Sequence, residues 1–310
     1  MSDPILHHYA GSPFSEKVRL VLGFKGMAWG SVDVPVMLPK PDVVALTGGY
    51  RRTPFMQIGA DIYCDSALMC RVIDRLQPQP PLYPPESAGL AEIVAQWADS
   101  ALFWSAIPFT LQSGGAAHVL PNATSEFGKA FGADRSALTA GMRRLALPDS
   151  SAALHAYLNR LDAMLADGRP FLLGALPCIA DFACAQSAWF IRLAPPVATV
   201  LDAHPRIGAW YERMQAFGHG RSQQLCAADA IGIAAAATRR AQVVVEAGLG
   251  FAAGEAVTVN ATDYGADPVP GTLVGLTREA VTLERHDERA GTVHVHFPRI
   301  GYQIRKEKPA

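Results

Sequence analysis

Along residues 4–77 the apolar positions change period repeatedly, and each change marks an element. Residues 5–9 read as a short strand, and after Gly11-Ser12-Pro13 the apolar Phe14, Val18, Val21 and Leu22 fall on one helical face. A second strand is predicted over residues 32–36, followed by a short helix between the loops Pro39-Lys40-Pro41 and Thr47-Gly48-Gly49. Residues 55–58 and 62–64, separated by Gly59-Ala60-Asp61, predict an antiparallel hairpin, and a helix over 66–76 closes the unit. Strands and helices in this order imply an α/β layer structure, a mixed sheet with helices on both faces.

The proline-rich run 78–85 can neither continue a helix nor enter a sheet, so it predicts a linker after a first unit of residues 1–80. Helical periodicity then persists to about residue 217, broken near Ser113-Gly114-Gly115, Leu147-Pro148, Asp167-Gly168 and Ala194-Pro195-Pro196, which predicts an all-helical domain over 86–225. A helix is expected at about 223–241, and a connecting helix is assigned to 226–245 after the helical domain. Period-two alternation at 256–259, 271–274, 281–283 and 292–297 predicts a small antiparallel β module over 246–310, an SH3-like barrel. No internal repeat or low-complexity tract interrupts the chain.

Composition narrows the function. Of 310 residues half are apolar, and the formal net charge is −1 with no basic block, which argues against nucleic acid or an acidic membrane surface as partner. The apolar run 230–238 is flanked by Asp229 and by Arg239-Arg240 and is too short to cross a bilayer. The start MSDPILHH lacks the basic and apolar regions of a secretory signal. Five cysteines without a C-x-x-C pair indicate no disulfide frame, and a cytoplasmic protein is expected.

Three short stretches carry candidate chemistry. Ser12-Pro13 is a helix start, with serine as N-cap and proline at the first helical position. Thr53-Pro54 opens a strand, where a cis bond would turn the Thr53 amide and carbonyl outward to pair with an extended peptide. Asp65-Ser66, at a strand-to-helix junction, offers a carboxylate, a hydroxyl and free helix amides, which suits a ligand bearing both an ammonium and a carboxylate. His7 and His8 point to opposite faces of the first strand and are read as structural. His294-x-His296 places two imidazoles on one strand face, with His286 near in sequence. Lacking an acidic or thiol partner at fitting spacing, the pair is read as structural, and no metal site is expected.

The run Ser12-Pro13-Phe14-Ser15-Glu16-Lys17-Val18-Arg19-Leu20, with Thr53-Pro54 and Asp65-Ser66 in order behind it, resembles the cytosolic glutathione transferases (GSTs) of the serine and cysteine classes. Phe171-Leu172-Leu173-Gly174 and Pro177-Cys178-Ile179-Ala180-Asp181-Phe182 are similar to that family's buried capping box, with Cys178 where Ser or Thr is usual and Asp181 structural. The resemblance spans residues 1 to about 225. It implies a thioredoxin-like N-terminal domain, an all-α GST C-terminal domain, and a homodimer that uses glutathione as co-substrate and no metal. By that resemblance Ser12 activates the glutathione thiol for attack on a hydrophobic electrophile, with Tyr9 as competitor and Ser15 where thioredoxin-type motifs carry a second thiol. Thr53 and Pro54 would bind the peptide main chain, Asp65 and Ser66 the γ-glutamyl end, and Lys40 with Arg52 the glycine carboxylate. Asp65 in place of the commoner Glu, and Tyr50-Arg51-Arg52 before the proline, depart from the family pattern. Trp97, Phe103, Trp104 and Phe109 could wall an electrophile pocket, but a shared helix face favours core. Alternatives on the same scaffold are a glutathione-dependent isomerase, dehalogenase or etherase, or a non-enzymatic interaction protein, which the extra β module would suit.

Overall fold

The computed structural model describes residues 3–120 and 124–307, so the outermost residues of the first and last expected units, including the start of the stretch read as leaderless, lie outside the described residues. The first part runs β1 (Ile5–His8), α1 (Pro13–Phe24), β2 (Ala28–Asp33), α2 (Pro41–Thr47), β3 (Phe55–Ile58), β4 (Asp61–Cys64) and α3 (Ser66–Leu76). Strand β1 pairs parallel with β2 and antiparallel with β3, and β3–β4 is the expected hairpin. Strand β2 lies four residues before its predicted start because its pattern is masked by Gly30. A Cβ there would come 2.7 Å from Leu225 Cδ1 and 3.1 Å from Ile5 Cγ1, so the strand is selected by close packing rather than by propensity.

The helical part comprises α4 (Ala88–Trp97), which passes through one π-helical turn, Ala98–Leu102, into α5 (Phe103–Thr110), then α6 (Ala116–Val119), α7 (Ser125–Leu138), α8 (Leu147–Met164), α9 (Ile179–Arg192), α10 (Pro195–Ala198) and α11 (Pro205–Gln215). Helix α9 is buried almost all round and packs on α1, α4, α5 and α11. Its start is fixed by Asp181, whose carboxylate accepts from the N–H groups of Leu172 (2.8 Å) and Cys178 (3.0 Å) and from Trp210 Nε1 (2.9 Å). The capping box expected around Cys178 is present.

The stretch expected as one helix over 223–241 divides. Arg221–Gln224 is β5, pairing parallel with β2, and the helix is α12 (Ala227–Ala236). The open edge of β2 presents unpaired main-chain groups that β5 satisfies. The helix then starts at Cys226, whose Sγ accepts from the Asp229 N–H at 3.4 Å.

The last part holds β6 (Ala256–Ala261), β7 (Val269–Leu276), β8 (Ala280–Asp287), β9 (Gly291–Pro298) and β10 (Tyr302–Lys306), all antiparallel to one another. These strands are not a separate barrel. Strand β9 pairs parallel with β4, Asp61 opposite His294 and Tyr63 opposite His296, and joins both parts into one ten-stranded sheet, β10-β6-β7-β8-β9-β4-β3-β1-β2-β5. No pairing closes β10 onto β9 among the described residues. The main apolar core runs from Phe55, Met56 and Ile62 across the seam to Leu283, Val295 and Phe297, beside a small separate cluster of Ile5, Val32 and Ala230.

Candidate functional site

Helix α1 begins at Ser12, which is 1% exposed and N-caps it by accepting from the Ser15 N–H at 3.2 Å. The Ser12 hydroxyl donates to the Thr53 carbonyl at 3.4 Å, longer than an ordinary O–H···O bond and correspondingly weak. The Thr53–Pro54 bond is cis, as the sequence led one to expect. The Thr53 N–H takes no hydrogen bond among the described residues. Ser15 is fully buried, and its Oγ has no partner among them. Burial holds the Tyr9 phenol above its ordinary pKa, outweighing Arg135 and a hydrogen bond with Ser12, so Tyr9 stays protonated.

A cleft of about 940 Å³ opens between the first part, α4 and the β6–β10 strands. Its wall includes Phe14, Lys17, Thr53, Pro54, Asp65 and Ser66. Of the expected site residues, Thr53, Pro54, Asp65, Ser66 and Arg52 therefore share this cleft, and Ser12 reaches it through Thr53. Tyr9, Ser15 and Lys40 do not line it. Lys40 is buried behind Thr53, its Nζ donating to Thr53 Oγ1 at 3.3 Å, and burial together with the Arg135 charge pushes its ammonium down to about 8.

Asp65 is the one non-glycine residue with positive φ, 76°, among the described residues. It N-caps α3, Oδ1 accepting from the Ala67 N–H at 2.9 Å, so its carboxylate is fixed at the cleft wall. Beside it Lys17, fully buried, donates from Nζ to Ser66 Oγ at 3.3 Å and to Asp99 Oδ2 at 2.5 Å. Burial alone would lower the Lys17 pKa, but the Asp99 carboxylate, with Cys70 and Asp65 beside it, more than offsets that, and the ammonium stays charged. The aromatic residues Trp97, Phe103, Trp104 and Phe109 do not line the cleft; Phe103 packs on Phe14 and Trp104 on Tyr264, in line with the core reading.

Family models fit the two halves of this arrangement: a glutathione S-transferase N-terminal domain matches residues 6–81 and a glutathione S-transferase C-terminal domain residues 146–213. The crystal structure of a GST-like protein from Pseudomonas syringae is 39% identical, covers 99% of this chain and 100% of its own, and superposes with a TM-score of 0.81. The chain belongs to the glutathione S-transferase family. No curated protein matches it in sequence. A glutathione S-transferase from Rhodospirillum rubrum F11 (18% identity, TM-score 0.53, 69% of this chain and 88% of its own) shares the fold. So does the β-etherase LigF from Sphingobium sp. strain SYK-6 (15%, TM-score 0.53, 69% and 96%). Among the described residues, no helix of this glutathione S-transferase family member is long and apolar enough to cross a membrane.

Four cleft residues escaped the sequence reading. Tyr302 on β10 donates its hydroxyl to Asp65 Oδ2 at 3.1 Å and lies 3.3 Å from the Tyr50 hydroxyl. Tyr264, on the connection between β6 and β7, stacks under the Arg52 guanidinium at 3.9 Å, and its carbonyl accepts from Arg52 Nε at 3.0 Å. Asp263 takes Arg52 Nη2. Both tyrosines arrive from more than 200 residues away, and no local signal announces them. The fourth, Lys17, stood inside the resembling motif and could have been found from it. The β4–β9 pairing also supplies what His294-x-His296 lacked, since Asp61 Oδ1 lies 2.8 Å from His296 Nε2 and 4.0 Å from His294 Nδ1.

Proposed function

We propose that the protein binds glutathione in this cleft and that Ser12 holds its thiol as the thiolate, which attacks a hydrophobic electrophile in the cytoplasm. The observation that carries the reading is Thr53, in the cleft wall, whose N–H takes no hydrogen bond among the described residues while its carbonyl accepts the Ser12 hydroxyl. An extended peptide paired to Thr53 brings its sulfur to the start of α1. There the hydroxyl can leave a weak bond for a stronger one to the anion, while its oxygen still caps the helix. The helix dipole adds to the same field. Asp65 and Ser66 offer acceptor and donor to the γ-glutamyl end. Holding Asp65 at positive φ costs about 1–3 kcal/mol, the kind of strain that persists at used positions.

A thiol near ~8.5 is only about 3% ionised at pH ~7, and lowering it by about two units, roughly 2.7 kcal/mol, raises that fraction about 25-fold. The Ser12→Ala variant is therefore expected to lose about tenfold or more in kcat against an aryl halide, with little change in KM for glutathione. Its pH–rate profile should move to higher pH, as should the thiolate absorbance of the binary complex. An unchanged profile would refute the role of Ser12.

A second reading is favoured by the engagement of Asp65 by Tyr302 and of Arg52 by Tyr264 and Asp263, which occupies groups a peptide would use. In that reading the chain has kept the fold as an interaction protein. Millimolar glutathione then gives no rise in the unfolding temperature of the full chain, whereas the transferase reading requires one.

A further inference from the structure

The seam between β4 and β9 brings three metal-ligating groups together: Asp61 from one strand, and His294 and His296 from the other. All three residues are buried, 6%, 8% and 5% exposed, and one ligand atom of each lies within 4.8 Å of the other two. Donor atoms about 2.0–2.2 Å from a tetrahedral ion stand roughly 3.4 Å apart. The observed separations of Asp61 Oδ1 from His296 Nε2, 2.8 Å, and from His294 Nδ1, 4.0 Å, bracket that value, so small side-chain rotations suffice.

The outer contacts have the pattern that supports ligation. His296 Nδ1 meets Thr282 Oγ1 at 3.0 Å, His294 Nε2 faces Glu284 Oε2 at 3.5 Å, and Asp61 Oδ2 accepts from the Ala241 N–H at 2.8 Å. Each orients its ligand and leaves the other atom for an ion. One group is unexplained without one: His294 Nδ1 is buried with no hydrogen-bond partner among the described residues, and it faces the Asp61 carboxylate. A buried polar atom left unpaired is costly. The cavity also has access, because His296 and Thr282 border the cleft.

We propose that Asp61, His294 and His296 form a divalent transition-metal site, best matched to Zn²⁺, that clips the C-terminal strands to the rest of the sheet. Two imidazoles and a carboxylate suit that ion, and the cleft side leaves room for a water as the fourth ligand.

The test titrates chelator-treated full-length protein with ZnCl₂ by calorimetry. One equivalent should bind at micromolar concentration or tighter and raise the unfolding temperature. His294→Gln should weaken binding at least about tenfold and abolish that rise. Because His294 Nδ1 has no partner to lose among the described residues, and its Nε2 contact with half-exposed Glu284 is long at 3.5 Å, the variant's metal-free unfolding temperature should stay near that of the parent. Cys226→Ser, which removes the exposed thiol, should bind as the parent does. If His294→Gln does not fold, Asp61→Asn serves in its place. Absent or substoichiometric Zn²⁺ binding, or binding that these ligand variants leave unchanged, overturns the site.

Discussion

Acidification should loosen the first strand in a way the hydrogen bonds of His7 and His8 define. Arg19 Nη1 lies 3.0 Å from His8 Nδ1, and because a guanidinium only donates, that nitrogen must be unprotonated. His8 Nε2 then carries the hydrogen and donates to Ser31 Oγ at 2.9 Å. On the opposite face, the Gln57 amide nitrogen donates to the carbonyls of Gly59 and Ala230, so its oxygen is the acceptor and His7 Nε2 the donor, at 2.9 Å. His7 also stacks on Phe55, ring centroids 4.2 Å apart. Accepting from Arg19 requires a neutral His8, and full burial keeps His7 neutral as well. Burial first, then the neighbouring His8 charge for His7 and the Arg19 charge for His8, hold each down to about 4 against an ordinary 6.5.

The sign follows from linkage. An unfolded chain takes up these protons as pH falls through 6.5, and the folded chain does not until about 4, so the stabilisation is whole above 6.5 and is lost on the way down to about 4. A difference of that size corresponds to roughly 3 kcal/mol per histidine, of which about 2 kcal/mol is gone at pH ~5. His296, lowered chiefly by burial, adds to the same slope, so the decisive quantity is a difference between chains. Urea unfolding followed between pH ~7.5 and ~5 should show stability falling by several kcal/mol in the parent. In His8→Gln, whose amide oxygen can still accept from Arg19, the fall should be smaller by about 2 kcal/mol. Parallel curves for parent and variant would refute the assignment of a neutral His8.

Two further outcomes concern packing. Asp181→Ala strands three buried donors, Leu172 N–H, Cys178 N–H and Trp210 Nε1, and should cost about 3–6 kcal/mol in urea unfolding read by tryptophan fluorescence; a loss below about 1 kcal/mol would contradict it. Gly23→Ala puts a Cβ 2.0 Å from the Gly218 carbonyl oxygen and should destabilise by about 1–3 kcal/mol, whereas Gly128→Ala, on the exposed face of α7 with nothing within 4 Å, should stabilise by up to about 1 kcal/mol; equal midpoints for the two would sink the packing argument.

Local signals in the sequence were enough for the elements that own their boundaries. Helix α3 runs Ser66–Leu76 as its period and N-cap residue required, and the β3–β4 hairpin follows from a short turn between two apolar runs. What escaped was set by distant partners. Residues Arg221–Gln224 carry no apolar pattern and become a strand because β2 has an open edge. Tyr302-Gln303-Ile304-Arg305-Lys306 is too short and too charged to stand out, yet pairs along β6. The same holds at the cleft. Thr53, Pro54, Asp65 and Ser66 were legible because their chemistry is a matter of adjacent residues, a cap or an X-Pro bond. Tyr264 and Tyr302 were not, since their roles arise from the β4–β9 seam, which period-two alternation on either side does not encode.

That seam also decides what kind of addition the C-terminal strands are. Strand β4 without β9 would expose a row of main-chain donors and acceptors beside buried Ile62 and Cys64, a template for pairing with other chains. With β9 in place the edges move outward to β5, whose four residues are all exposed and polar, and to β10, which ends in exposed Arg305 and Lys306. Both new edges are short and charged or polar, which discourages further pairing. Because the sheet is continuous, the strands that protect β4 are the same ones that carry Tyr302 to Asp65 and, on the β6–β7 connection, Tyr264 to Arg52. A change that loosens β9 from β4 must therefore alter the cleft and the stability of the sheet together, and a ligand that tightens the cleft must in turn strengthen the seam.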